Sequence, residues 1–191
     1  LFAPTLMFGA ALADVPPPPA TDAATPYYDR DKIDVSNLRD FFNGLLIADI
    51  MIHGDAMFDA ETKWKLTLYQ MVNVGSRHNQ ARAARQLDAM GVSLQDIQAI
   101  WSTDYVQTIE DARIKSAFEF AAAASANPAR VTADSHAALR MHFIDRQIAE
   151  LIELLAINAA VAKRDLILPV ATDQATIEWA TENLGPVGWT V

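Results

Sequence analysis

The sequence predicts an all-α domain, a bundle of about seven helices. Three observations carry that prediction. Apolar residues recur at helical spacing through most of the chain after about Ser36, and no segment sustains the period-two alternation of a strand. Glycine is scarce, with 7 among 191 residues, and most of the 9 prolines lie before the core begins. Helix-start and helix-stop signals punctuate the chain at short intervals, as expected for helices joined by short links.

The elements follow in order. Leu38, Phe41, Phe42, Leu45, Leu46 and Ile50 have the spacing of one helix face. The next helix begins near Asp59 and carries Trp64, Leu66, Leu68 and Met71. A third runs from about Ser76 to Met90 and stops at Gly91, a helix-terminating glycine. Ser93, with Asp96 three residues on, resembles a capping box and starts a short helix ending near Trp101. Thr108 with Asp111 repeats that signature for a helix reaching about Ala124, and the alanines at 121 to 124 suit close helix packing. A shorter helix is expected from Ser135 to Met141. The best-formed amphipathic helix spans about Asp145 to Ala162, with Ile148, Ile152, Leu155 and Ala159 on one stripe. Thr172 is the expected cap of a last helix reaching Asn183. No internal repeat and no phosphate-cradling glycine loop is present.

Composition narrows the function. The net charge is −9 and the pI about 4.8, so no basic surface is offered to a nucleic acid. Anionic membrane surfaces should repel the chain. There is no cysteine, which removes disulfides, thiol nucleophiles and thiolate metal sites together. Residues 1 to 28 are set apart from a single domain expected over 29 to 191. LFAPTLMFGAALADV is apolar, and Ala11-Leu12-Ala13 before Asp14 fits a small-x-small cleavage site. Two readings stay open: the end of a signal peptide, placing the protein in the periplasm or outside the cell, or an apolar arm on a cytoplasmic protein. Pro16 to Pro19 then begin a polyproline linker running to about Tyr28.

Three pieces carry a family resemblance. They are ETKWKLTLYQMVNVGSRHNQARAARQLDAMGVSLQDIQAIW at 61 to 101, EDARIKSAFEFAAAA at 110 to 124, and VTADSHAALRMHFIDRQIAELIELLAINAAVAKR at 131 to 164. In that order and spacing the chain resembles the carboxymuconolactone decarboxylase and alkylhydroperoxidase-D-like superfamily. The resemblance implies an alkylhydroperoxidase-D-like helical bundle and a homo-oligomer, a trimer or a hexamer. The peroxidase branch carries Cys-x-x-Cys shortly before a histidine. Counting back from His78, those positions fall near Met71 and Val74, and neither is a thiol. Thiolate attack on a peroxide is therefore unavailable. The same count places the family's glutamate near Asp59, about two residues from Glu61.

The decarboxylase branch implies another chemistry: proton transfer without thiol, metal or other cofactor. His78 suits a general acid or base, and Glu61 an orienting carboxylate brought to it by the preceding helix. Arg82 and Arg85 lie four and seven residues after His78 and share its face, placed to hold a substrate carboxylate. The expected function is thus a lyase or isomerase acting on a small carboxylate or lactone. The contrasting expectation is a non-catalytic binding or assembly protein with an eroded site, in which His78 is a surface residue, Arg82 and Arg85 are solvated or paired, and Glu61 is a helix N-terminal charge. His136 and His142 are six apart and would diverge on one helix. A metal at His53 and Asp55 would need further ligands that the sequence does not identify. Asn158, inside an apolar stripe, suits a hydrogen bond to a neighbouring helix.

Overall fold

The computed structural model describes Gly44, Ala48, Ile52, His53 and residues 58–126, 129–167 and 172–190. The N-terminal segment and most of the helix expected from Ser36 to Ile50 lie outside them, although Gly44 and Ala48 are helical. Among the described residues there are eight α-helices and no strand: α1 (Ala60–Val74), α2 (Arg77–Ala89), α3 (Leu94–Ala99), α4 (Tyr105–Thr108), α5 (Ala112–Ser125), α6 (Ala133–Arg140), α7 (Asp145–Ile167) and α8 (Gln174–Leu184). A 3-10 turn, Gly185–Val187, closes α8.

Helix α1 is central because it has two apolar faces. Leu66 points into a core with Phe118, Phe120, Leu139, Phe143, Leu151 and Leu154, drawn from α5, α6, α7 and their links. Leu68 points into a second core with Ala81, Ala84, Leu87, Ile97, Leu184 and Trp189, drawn from α2, α3, α8 and the segment after it. Leu66, Leu68, Ala81 and Ala84 are fully buried, and each buried leucine contributes about 1.5–3 kcal/mol. The alanines on α2 let its backbone approach α1 closely.

The turn between α1 and α2 is two residues long. Gly75 takes a left-handed φ of 75°, where a side chain would be strained. The Ser76 N–H then donates to the Met71 carbonyl at 3.1 Å, and Gln80 Nε2 donates to the same oxygen at 3.0 Å. A link this short makes α1 and α2 antiparallel neighbours.

Several boundaries differ from expectation for local reasons. Asp111, not Thr108, caps α5 by accepting from the Arg113 and Ile114 N–H groups. Thr108 closes the unanticipated α4 through a bond to the Tyr105 carbonyl. Thr132 caps α6, with Ser135 as the returning member of a capping box. Asp173 rather than Thr172 caps α8, accepting from the Thr176 N–H at 2.9 Å. The buried face of α7 is Ile148, Leu151, Leu154, Leu155, Asn158, Val161 and Ala162. Ile152 is 40% exposed and Ala159 is also exposed, so the expected stripe is rotated toward solvent.

A polar seam joins α1 to α7 inside this packing. Asn158 donates to Thr67 Oγ1 at 2.9 Å, and His53 Nε2 lies 2.8 Å from the same hydroxyl. The His53 ring stacks on Trp64 with centroids 3.9 Å apart. His53 is thus held in the core rather than set out as a loop ligand; Asp55 lies outside the described residues. Lys63, 1% exposed, meets Glu150 at 2.5 Å. Asn158 makes the helix-to-helix bond that its apolar surroundings suggest.

Candidate functional site

His78 stands in the first turn of α2, and Arg82, Arg85, Gln86 and Ala89 follow it along one helix face. These five side chains, with Asp173 and Thr176 from the start of α8, line a cavity of about 290 Å³. The three residues of this helix singled out from the sequence therefore share one hollow. It is closed by an element about ninety residues away in sequence.

The imidazole is half-buried, and its Nδ1 lies 2.8 Å from Thr172 Oγ1. Nε2 has no hydrogen-bond partner among the described residues. Loss of water around the ring holds the His78 pKa below its ordinary value. The Asp165 carboxylate pulls it back up, Arg82 and Arg164 push it further down, and Asp173 opposes them. The net result is a ring that is neutral at neutral pH. Its place at a helix N-terminus, where a cation is disfavoured, acts in the same direction.

The structure does not bring Glu61 to His78. Glu61 is in the first turn of α1, about half exposed, and accepts from Lys65 one turn on at 2.6 Å. With α1 and α2 antiparallel, Glu61 sits at the far end of the hairpin, ~20 Å of helix axis before the turn. Its charge acts instead on Tyr105, whose hydroxyl is pushed up to about 12 by burial first, then by Asp96 and Glu61. The sequence separation fits two adjoining helices, but adjacency puts residues face to face only when both lie equally far from the turn.

The carboxylate near His78 is Asp165, in the last turns of α7. Its side chain is 2% exposed. It accepts from Asn79 Nδ2 at 2.8 Å and from Arg164 Nε at 2.5 Å. Asn79, itself buried, also donates to Ser76 Oγ at 2.9 Å, so the first turn of α2 is tied to α7. Sequence reasoning missed Asp165, Thr172, Asp173 and Thr176 as site residues. The one local signal was an Arg-Asp pair in the last turns of α7, after the apolar run Ala159–Ala162.

The two arginines are partly engaged. Arg85 Nη1 donates to Thr176 Oγ1 at 2.5 Å and lies 3.6 Å from Asp173 Oδ1. Its side chain remains 45% exposed. The Arg82 guanidinium lies over the Trp64 ring, 5.4 Å from its centroid. The Asp173 carboxyl sits below its usual value, chiefly through the Thr176 hydroxyl and N–H. Two guanidinium groups, a neutral imidazole and one carboxylate therefore border the hollow, an arrangement able to hold an anion and move a proton.

No family model matches the sequence, and no match is found among curated proteins. Two solved structures are similar: a cysteine-to-alanine variant of the debrominase Bmp8 in complex with 2,3,4-tribromopyrrole, and the same debrominase without ligand. Each aligns with a TM-score of 0.65 at 17% identity, over 80% of this chain and 77% of the other. At that identity the likeness is one of fold, and the chain has the all-α, alkylhydroperoxidase-D-like helical bundle expected of it.

Proposed function

We propose that the protein is an enzyme of the carboxymuconolactone decarboxylase type, a lyase or isomerase that moves a proton on a small carboxylate or lactone without a cofactor. The single observation behind this reading is that His78, Arg82 and Arg85 line one cavity. In the proposed step, His78 Nε2 takes a proton from the carbon beside a carbonyl. The electron pair moves into the carbonyl as an enolate, and Arg82 or Arg85 stabilises the oxygen. The imidazolium then returns the proton at the far end of a double bond conjugated with the enolate, or gives it to a leaving group that the enolate expels from the next carbon. Thr172 holds the ring by Nδ1, and Asp165 stabilises the imidazolium that forms. Glu61 has no part in this step. The solved debrominase Bmp8 supports the reading only by analogy, as an enzyme with this fold and a small-molecule complex.

The cavity holds about ten heavy atoms at ~30 Å³ each, which limits the substrate to a small one. The engagement of Arg85 with Thr176 and Asp173 favours a second reading, a carboxylate-binding protein without turnover. One experiment separates the two. The protein is incubated in deuterium oxide with short keto acids and unsaturated lactones, and proton NMR follows loss of the signal beside the carbonyl. Exchange that His78→Ala reduces by a hundredfold or more, with binding retained, supports the enzyme. Binding without exchange supports the second reading, and neither binding nor exchange ends both.

A further inference from the structure

A second hollow lies between α1, α5 and α7, and no residue of the His78 cavity lines it. It has two joined parts that share Gln70, Ala124 and Ala159. The larger, about 740 Å³, is bordered by Asn73, Ser125, Arg130 and Lys163. The smaller, about 280 Å³, is walled by Phe120, Val131, Ile152, Leu155 and Ala156, with His136 at its edge. Alanines at 122, 124, 126, 159 and 162 create the space, since any larger side chain there would fill it.

We propose that this hollow binds a free amphiphilic carboxylate, its acid group between Arg130 and Lys163 and its apolar body against Phe120 and Leu155. The charge pattern points to an anion. The chain carries a net charge of −9, yet neither Arg130 nor Lys163 pairs with a carboxylate among the described residues. The apolar end points to a hydrocarbon body. Phe120 and Leu155 are 5% and 4% exposed and form its floor, while Ile152, 40% exposed, stands at its rim. At ~30 Å³ per heavy atom the apolar part takes a tail of about nine carbons. A concave site of this size with one charged end suits a small molecule that enters it. The same acidity that repels an anionic membrane surface favours a free acid over a lipid within a bilayer.

The test is titration calorimetry of the full chain with decanoate below its micelle concentration. Saturable one-to-one binding is expected. Reversing both charges, Arg130→Glu with Lys163→Glu, should weaken it tenfold or more; both side chains are exposed, so folding should survive. Ala159→Phe should weaken it similarly by filling the shared wall. His78→Ala with Arg82→Ala should leave it unchanged, which separates this site from the catalytic reading. Equal binding by the charge reversal and Ala159→Phe variants, or binding lost only with His78 and Arg82, would overturn the proposal. So would an assembly that Ala159→Phe dissociates in sedimentation while decanoate binds neither form, because the hollow would then be a subunit contact.

Discussion

Asp165→Asn tests the electrostatics of the His78 site most directly. The change keeps the shape of the side chain and removes its charge. Asn79 donates to one carboxylate oxygen and Arg164 to the other, so the single oxygen of the amide can keep only one of the two bonds. Hydrogen bonds involving a charged group contribute about 1.5–3 kcal/mol, so losing the Asn79 bond costs about that much, while Arg164 keeps its own charge and a bond to the amide oxygen. The Asn79 bond is buried and counts fully. Arg164 is 24% exposed, so water replaces part of its loss. The sum is roughly 2 kcal/mol, a fall in melting temperature of about 4–8 °C for a chain of this length. Urea unfolding should show it as a lower midpoint at unchanged slope.

The more specific consequence is at His78. Asp165 is the leading influence that raises the ring's pKa, so removing its charge should lower that pKa further. The ring titration is read by NMR. Because the folded pKa lies below the unfolded value of about 6.5, the folded protein binds fewer protons between the two values. Stability is therefore highest above about pH 6.5 and falls as pH drops through the window toward the folded pKa. In Asp165→Asn that loss should extend to lower pH, and so should the acid limb of any His78-dependent activity. An unchanged His78 titration in a folded variant would show that Asp165 does not act on the ring.

Two further outcomes follow from the same geometry. Glu61→Ala should leave activity unchanged and shift stability by no more than about 0.5 kcal/mol, since it removes a half-exposed pair within one helix; a hundredfold loss of turnover would return Glu61 to the site. Lys63→Met should cost about 3–5 kcal/mol in denaturant unfolding, because it removes a buried partner from the largely covered Glu150, whereas Lys63→Met with Glu150→Leu should recover most of that loss; additive costs would mean the two side chains do not act as a pair.

Local chemistry was enough to read the helices. The spacing of Leu66, Leu68 and Met71, the left-handed stop at Gly91 and the Ser93 cap are properties of a few neighbouring residues, and all are found where expected. The grouping of His78, Arg82 and Arg85 was legible for the same reason, because helical pitch alone places them on one face. Their partners were not. Asp165 and Asp173 arrive from other helices, and nothing near them in sequence encodes the distance to α2. Glu61 shows the converse: a carboxylate seventeen residues from His78 is carried away from it by an antiparallel turn. The orientation of α7 was likewise decided by packing, which buried Leu151 and Leu154 and left Ile152 and Ala159 at the surface. Periodicity sets which residues share a stripe, while the neighbours available on α1 and α5 set which stripe is buried.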